Sequence, residues 1–105
     1  MKAKEYFQKY GERLRREAVY EKAFKQYGKD MQLIIAIEEL SELQKEITKY
    51  LRDNGDHEHL AEEIADVRIM VEQLEFFLGC RPNVAKYMRK KIRRLEERMD
   101  GDAVL

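Results

Sequence analysis

Residues 60–78 read LAEEIADVRIMVEQLEFFL, and the spacing of their apolar side chains decides the fold. Leu60, Ile64, Val67, Val71, Leu74 and Leu78 follow a four-three alternation, the seam of a helix packed nearly parallel or antiparallel to its partners. Upstream, Leu33, Ala36 or Ile37, Leu40, Leu43 or Gln44, Ile47 and Leu51 repeat the pattern on a second helix. The short turn DNGD (53–56) between them makes an antiparallel hairpin. Two helices with broad apolar faces cannot bury them on each other alone. Flanking helices and a second subunit are expected to cover the rest.

Working outward from this hairpin, little interrupts helix. Residues 3–27 are helix-prone, with Gly11 a potential break and Gly28 placed for a C-terminal αL cap. Asp30 is positioned to cap a helix over 31–52, and Asp56 to cap one over 57–78. Asn83 is positioned to cap a last helix reaching about Met99, ahead of a frayed DGDAVL tail. Composition agrees: 40% of the 105 residues are charged, with 5 Gly and 1 Pro, which favours long, solvent-laced helices over sheets. The expected architecture is all-α, an antiparallel helical hairpin plus flanking helices in one domain spanning 1–105, with 1–15 and 100–105 peripheral. Its helix bundle is completed by dimerisation, as a homodimer or a dimer of dimers.

A net charge of zero supplies no global field for nucleic acid or a membrane surface. The single cysteine, Cys80, allows no internal disulfide framework and suggests a reducing compartment. The opening MKAKEYFQKYGERLRRE has no apolar core of signal-peptide type, and no run approaches membrane-spanning length. A cytoplasmic protein is expected.

Acidic residues crowd the hairpin. In IEELSELQKEI (37–47), Glu38, Glu39, Glu42 and Glu46 stand among Ile37, Leu40, Leu43 and Ile47, although like charges three and four apart on a helix repel. At about 100° per residue, Glu39 and Glu42 lie about 60° apart with Glu46 between them, on the shoulder of the apolar stripe. Glu63 and Asp66 repeat that geometry beside Leu60, Ile64 and Val67. Folded across the DNGD turn, the two pairs reach comparable levels and can face each other across one cleft. Four half-buried carboxylates need a counter-charge. A hard divalent cation, Mg²⁺ or Mn²⁺, prefers such oxygen ligands. The alternative is that each pair is a solvated face in a chain with 21 acidic residues, Lys45 and Lys49 serving Glu42 as surface partners.

EELSE at 38–42 followed by EIAD at 63–66 resembles the EExxE…ExxD signature of the MazG-like, all-α nucleoside triphosphate pyrophosphohydrolases. YEKAFKQYGKDMQLIIAIEELSEL is similar to the stretch leading into the first motif in small phage and bacterial members. KKIRRLEERM is similar to their basic last helix, so the likeness covers roughly residues 20–99. The resemblance implies helical subunits that dimerise into a bundle, bind Mg²⁺ (or Mn²⁺), and hydrolyse an NTP or dNTP to the monophosphate and pyrophosphate. On matching positions it makes Glu39 and Glu42 the first metal-binding pair, and Glu63 and Asp66 the second. Glu38 takes the leading position, with a role in orienting or deprotonating the attacking water. Glu46 has no counterpart and is read as surface, or at most an outer-shell partner. Arg68 departs from the aliphatic residue of many members. It either reaches substrate phosphates or, the preferred reading, pairs with Glu72 four residues on. The C-terminal segment lacks a clear match to the Lys/Asn/Arg pattern of longer members.

The basic run KYMRKKIRRLEERM (86–99) is either a solvated face or a clamp for the triphosphate, in which Lys91 and Arg94 are the candidates; Glu96 and Glu97 dilute it as a nucleic-acid surface. Tyr20, Phe24 and Tyr27 either line a base pocket or pack in the core. No Ser–His or Cys–His nucleophilic set is evident, and Cys80, at a helix end, reads as a structural or incidental thiol. His57 and His59, two apart on a helix start, point to different sides and read as N-terminal polar residues. Two classes of function follow: a metal-dependent NTP pyrophosphohydrolase, which demands that Glu39, Glu42, Glu63 and Asp66 converge, and a non-catalytic helical interaction or regulatory module with a basic C-terminal helix.

Overall fold

The computed structural model describes residues 2–104. They form four helices, α1 (Ala3–Tyr27), α2 (Lys29–Leu51), α3 (His57–Leu78) and α4 (Arg81–Val104), with no strand among the described residues. The chain divides into two compact units, Met1–Leu74 and Glu75–Leu105. None of the helices is long and apolar enough to cross a membrane.

In the first unit, Gly28 alone joins α1 to α2. Its N–H donates to the Phe24 carbonyl at 2.9 Å, closing α1, and its own carbonyl accepts from the Gln32 N–H at 3.2 Å, opening α2. The residue stands at φ 90, ψ 159, outside the αL region expected of a C-cap and strained for any residue with a Cβ. Because the joint is one residue long, α2 begins at Lys29. Asp30 therefore lies inside the first turn, where it complements the helix dipole, and makes no cap. Gly11 is passed without a break in α1.

The hairpin turn follows its sequence signal. The Asn54 N–H donates to the Lys49 carbonyl at 3.0 Å and the Asp53 N–H to that of Tyr50 at 3.1 Å. This is a Schellman ending for α2, with Asp53 at φ 61 in the position glycine usually takes. Asp56 then caps α3: its Oδ1 accepts from the Glu58 N–H at 2.9 Å, and its carbonyl from the Leu60 N–H at 2.9 Å.

The inward face of α2 is one residue off its apolar seam, and that of α3 straddles the seam and the polar line beside it. On α2 the line turned inward is Gln32, Ala36, Glu39, Leu43 and Glu46; on α3 the inward side is shared between a polar line through His59, Glu63, Asp66, Met70 and Gln73 and the half-buried Leu60, Val67 and Leu74. Both lines keep a four-three spacing, so each helix carries a polar seam beside its apolar one. Gln32, Glu46 and Gln73 are buried together with Ala36 and Met70, while His59 and Asp66 keep one side in water. The apolar residues expected in the core are instead exposed: Ile37 (64%), Leu40, Ile47, Leu51 (78%), Ile64, Val71 and Leu78. Leu43, Leu60, Val67 and Leu74 are half-buried. The physical reason is angular. One residue is about 100° of helix, and a helix pair has room for one of two adjacent stripes.

α1 is tied to α3 by a polar clasp. Arg16 presents Nε to Glu72 Oε1 at 2.6 Å and a second nitrogen to Oε2 at 3.3 Å, and the buried Tyr20 hydroxyl donates to Oε1 at 2.9 Å. Burial and the bond to Glu72 push the Tyr20 hydroxyl up to about 12. Tyr20 is thus a packed, hydrogen-bonded core residue; Phe24 is half-buried and Tyr27 exposed.

In the second unit, α3 ends as α2 does. The Cys80 N–H donates to the Glu75 carbonyl at 3.1 Å and the Gly79 N–H to that of Phe76 at 3.3 Å, with Gly79 at φ 61. α4 starts at Arg81, two residues ahead of the expected cap Asn83, because Pro82 fits a first helical turn, where no N–H is required of it. The helix continues through Val104, so residues 100–104 are helical rather than frayed; Leu105 lies outside the described residues. Its residues 86–102 are exposed throughout, Lys91 and Arg94 among them.

Candidate metal centre

Antiparallel pairing sets the register of the polar seams. Gln32, Glu39 and Glu46 recur every seven residues on α2, and His59, Asp66 and Gln73 every seven on α3. Glu46 meets His59 at one level and Glu39 meets Asp66 seven residues further, about two helical turns away. Gln32 and Gln73, the next pair in this register, are both buried.

At the middle level, Glu39, Glu63 and Asp66 each place a carboxylate oxygen within 4.8 Å of the other two. Glu39 and Glu63 are half-buried and Asp66 is exposed, so the group opens to water on one side. Burial holds the Glu39 carboxyl above the usual carboxylate range. The charges of Asp66 and Glu63, a hydrogen bond shared with Asp66 and the charge of Glu42 push the same way. Glu63 Oε2 is buried and has no hydrogen-bond partner among the described residues. An orphaned carboxylate oxygen beside two others is a costly arrangement for a bare chain. An all-oxygen, strongly anionic donor set open on one side is what Mg²⁺ or Mn²⁺ takes, since both ions keep water or phosphate oxygens in their remaining positions.

Three of the four residues expected at a metal thus come together. Glu42 stands apart from the three: it is exposed on the edge of α2 and acts on the group through its charge at Glu39. Glu38 points further from the seam and is exposed. Lys91 and Arg94 belong to the second unit, on the exposed face of α4. Arg68 lines an open cleft of about 290 Å³ between α1 and α3 with Arg16, Tyr20, Ala65, Ile69 and Glu72. The ion pair shown at Glu72 comes from Arg16.

Two residues set aside in the sequence belong to this neighbourhood. Glu46 is among the most buried residues of the unit, at 4% exposure, and is not a surface residue. Its Oε1 lies 3.3 Å from Lys49 Nζ and its Oε2 3.5 Å from His59 Nδ1. Lys49 therefore pairs with Glu46, not with Glu42 as the solvated-face reading had it. The other ring nitrogen of His59, Nε2, stands 3.3 Å from Glu63 Oε1. The signal was present in the heptad spacing of Glu39 and Glu46 and in the i, i+4 spacing of His59 and Glu63. It was masked because the apolar stripe, one residue over, has the same period.

No protein-family model, curated protein or solved structure matches this chain.

Proposed function

We propose that the protein is a Mg²⁺-dependent nucleoside triphosphate pyrophosphohydrolase, converting an NTP or dNTP to the monophosphate and pyrophosphate. The observation that carries this reading is the convergence of Glu39, Glu63 and Asp66 from two helices, with Glu63 Oε2 unpartnered and Glu39 held towards its protonated form. The resemblance of EELSE and EIAD to the MazG-like signature supplies the substrate class. Glu39, Glu63 and Asp66 would hold the cation, with Glu42 at the rim. A bound Mg²⁺ would neutralise the triphosphate oxygens and polarise a water.

The chain's own groups have separate tasks in this reaction. Glu38, exposed on α2, is the group assigned to accept the proton of the attacking water. Lys91 and Arg94 carry the charges suited to phosphate oxygens, a point charge and a planar fork respectively. A second copy of the chain covers Ile37, Leu40, Ile47, Ile64 and Val71, giving a homodimer or a dimer of dimers in the cytoplasm.

The test is pyrophosphate release with Mg²⁺ across a panel of NTPs and dNTPs, paired with calorimetric titration of Mg²⁺ and a non-hydrolysable nucleotide. Turnover of at least one nucleotide, with binding weakened in Glu42→Ala, supports the assignment. Neither turnover nor binding leaves a non-catalytic helical module as the better description.

A further inference from the structure

The turn between α2 and α3 holds a reactive pair that has no part in the carboxylate group. Asn54 is followed by Gly55. Asparagine is among the thermolabile side chains, because the backbone nitrogen of the next residue can attack its amide carbon. Ring closure is easiest where that residue is glycine and the backbone is not helical. Asn54 and Gly55 are both exposed and lie outside α2 and α3. The Asn54 N–H donates to the Lys49 carbonyl at 3.0 Å, but among the described residues no hydrogen bond engages its side-chain amide or the Gly55 N–H. Nucleophile and electrophile are therefore both unengaged, side by side.

The fold closes the other places where the sequence offers this chemistry. Asn83, the second asparagine of the chain, precedes the β-branched Val84, whose N–H donates to the Cys80 carbonyl at 2.9 Å at the start of α4. Asp100 precedes Gly101, but both lie inside α4, where helical hydrogen bonding occupies the nitrogen. At 55, by contrast, the glycine is required: a Cβ there would stand 2.7 Å from the Tyr50 Cα. Space fixes the glycine, and the glycine leaves Asn54 open to attack.

We propose that Asn54 is a self-modification site, deamidating through a cyclic imide formed with Gly55. The Gly55 nitrogen bonds to the Asn54 side-chain carbonyl carbon. That carbon's bond to its amide nitrogen breaks, and ammonia leaves with the proton the Gly55 nitrogen gives up. Solvent water then opens the five-membered ring at one of its two carbonyls. Opening at the side-chain carbonyl yields aspartate; opening at the main-chain carbonyl yields isoaspartate, with the chain running through the former side chain. Nothing is oxidised or reduced. Either product adds a negative charge beside Asp53 and Asp56, at the C-terminal end of α2, where the helix dipole is already negative. Isoaspartate also lengthens the main chain by a methylene, between the Asn54 bond to Lys49 and the close approach of Gly55 to Tyr50. The modification thus loosens the joint between α2 and α3 irreversibly and with time.

The test ages the full folded chain at physiological temperature and mildly alkaline pH, beside the same chain unfolded in guanidinium and beside Asn54→Gln and Asn54→Ser. Peptide mass mapping locates the exchange of an amide NH₂ for OH, enzymatic methylation detects isoaspartate, and thermal melts compare fresh with aged protein. Expected are conversion at Asn54 in the folded chain at a rate comparable to the unfolded one, isoaspartate among its products, and no conversion at Asn83. Neither variant should form isoaspartate in the turn, and aged wild type should melt lower than fresh while aged Asn54→Gln melts unchanged. An Asn54 still intact in the folded chain after the unfolded chain has reacted overturns the proposal, because the turn then protects it. Conversion at 54 without isoaspartate overturns the imide route, and equal conversion at Asn83 overturns the selectivity argued from the fold. An aged wild type that melts as the fresh protein does overturns the loosening. Asn54→Ser carries the comparison should Asn54→Gln fail to fold.

Discussion

Arg16 and Glu72, separated by 56 positions in sequence, meet in a two-pronged ion pair with Nε 2.6 Å from Oε1. The Tyr20 hydroxyl joins the same oxygen, so one carboxylate gathers two side chains from α1 and locks that helix onto α3. The partners differ in worth. Arg16 is nearly half exposed, and an exposed ion pair contributes at most about 1 kcal/mol. Tyr20 is buried, and a hydrogen bond from a buried hydroxyl to a charged acceptor contributes about 1.5–3 kcal/mol. Glu72→Ala removes the acceptor for both, so it should destabilise more than Arg16→Ala. Urea denaturation of the two variants checks the order; equal losses would contradict it.

Asp53 holds an αL conformation, at φ 61, at the end of α2. Asp53→Gly should stabilise the chain by about 0.5 kcal/mol, the relief of the Cβ contact less the extra freedom of an unfolded glycine. Two residues on, a Cβ at Gly55 would stand 2.7 Å from the Tyr50 Cα. Gly55→Ala should therefore destabilise by about 1–3 kcal/mol. Melting curves that move the two variants in the same direction would be inconsistent with the turn as described.

The stripe through Ile37, Leu40, Ile47, Ile64 and Val71 is exposed and apolar on two adjacent helices. A second copy covering it predicts that wild type is a dimer or larger and that Leu40→Lys combined with Ile64→Lys is a folded monomer, since each lysine would need desolvation in a closed interface. Light scattering after size exclusion, with circular dichroism for folding, decides. A wild type that is monomeric at micromolar concentration would count against the second copy.

Much of this fold was legible because its signals are local. Asp56 capping α3 and the DNGD turn each depend on residues within a few positions, and periodicity gave four helices. The convergence of Glu39, Glu63 and Asp66 was legible for a different reason: the short turn leaves few registers for the hairpin. The facing of the helices was not. A hydrophobic stripe says that something covers it without saying what, and here α2 closes through the polar line one residue away while α3 keeps only Leu60, Val67 and Leu74 of its stripe half-buried. That is why Ile37 and Val71 are exposed while Gln32, Glu46 and Gln73 are buried. His59 escaped notice because its partners include Glu46, 13 positions back across the turn, a pairing visible only once the register is known.

Glu39 gives the site a pH signature. Its carboxyl is held above the usual range, so between the ordinary and the raised value the folded chain keeps a proton that the unfolded chain has lost. The stability this contributes is complete below the ordinary carboxylate range and is lost as pH rises through the raised value. Metal-free wild type should therefore lose stability relative to Glu39→Gln as pH is raised out of the ordinary carboxylate range. Mg²⁺ should restore wild type at neutral pH and leave Glu39→Gln little changed, because the cation replaces the proton as counter-charge. Thermal melts of both proteins with and without Mg²⁺ give the comparison. A stability difference independent of pH would remove the basis for it.

The most direct test of the metal-dependent hydrolase is pyrophosphate release by wild type and Glu63→Gln, assayed side by side with Mg²⁺ and with chelator. Glu63→Gln keeps the shape of the side chain and withdraws one charge from the group formed with Glu39 and Asp66. The account predicts release by wild type that stops when Mg²⁺ is chelated, and a loss of about a hundredfold or more in Glu63→Gln, equivalent to a few kcal/mol of charge stabilisation. Release that persists in chelator, or a Glu63→Gln as active as wild type, would contradict it.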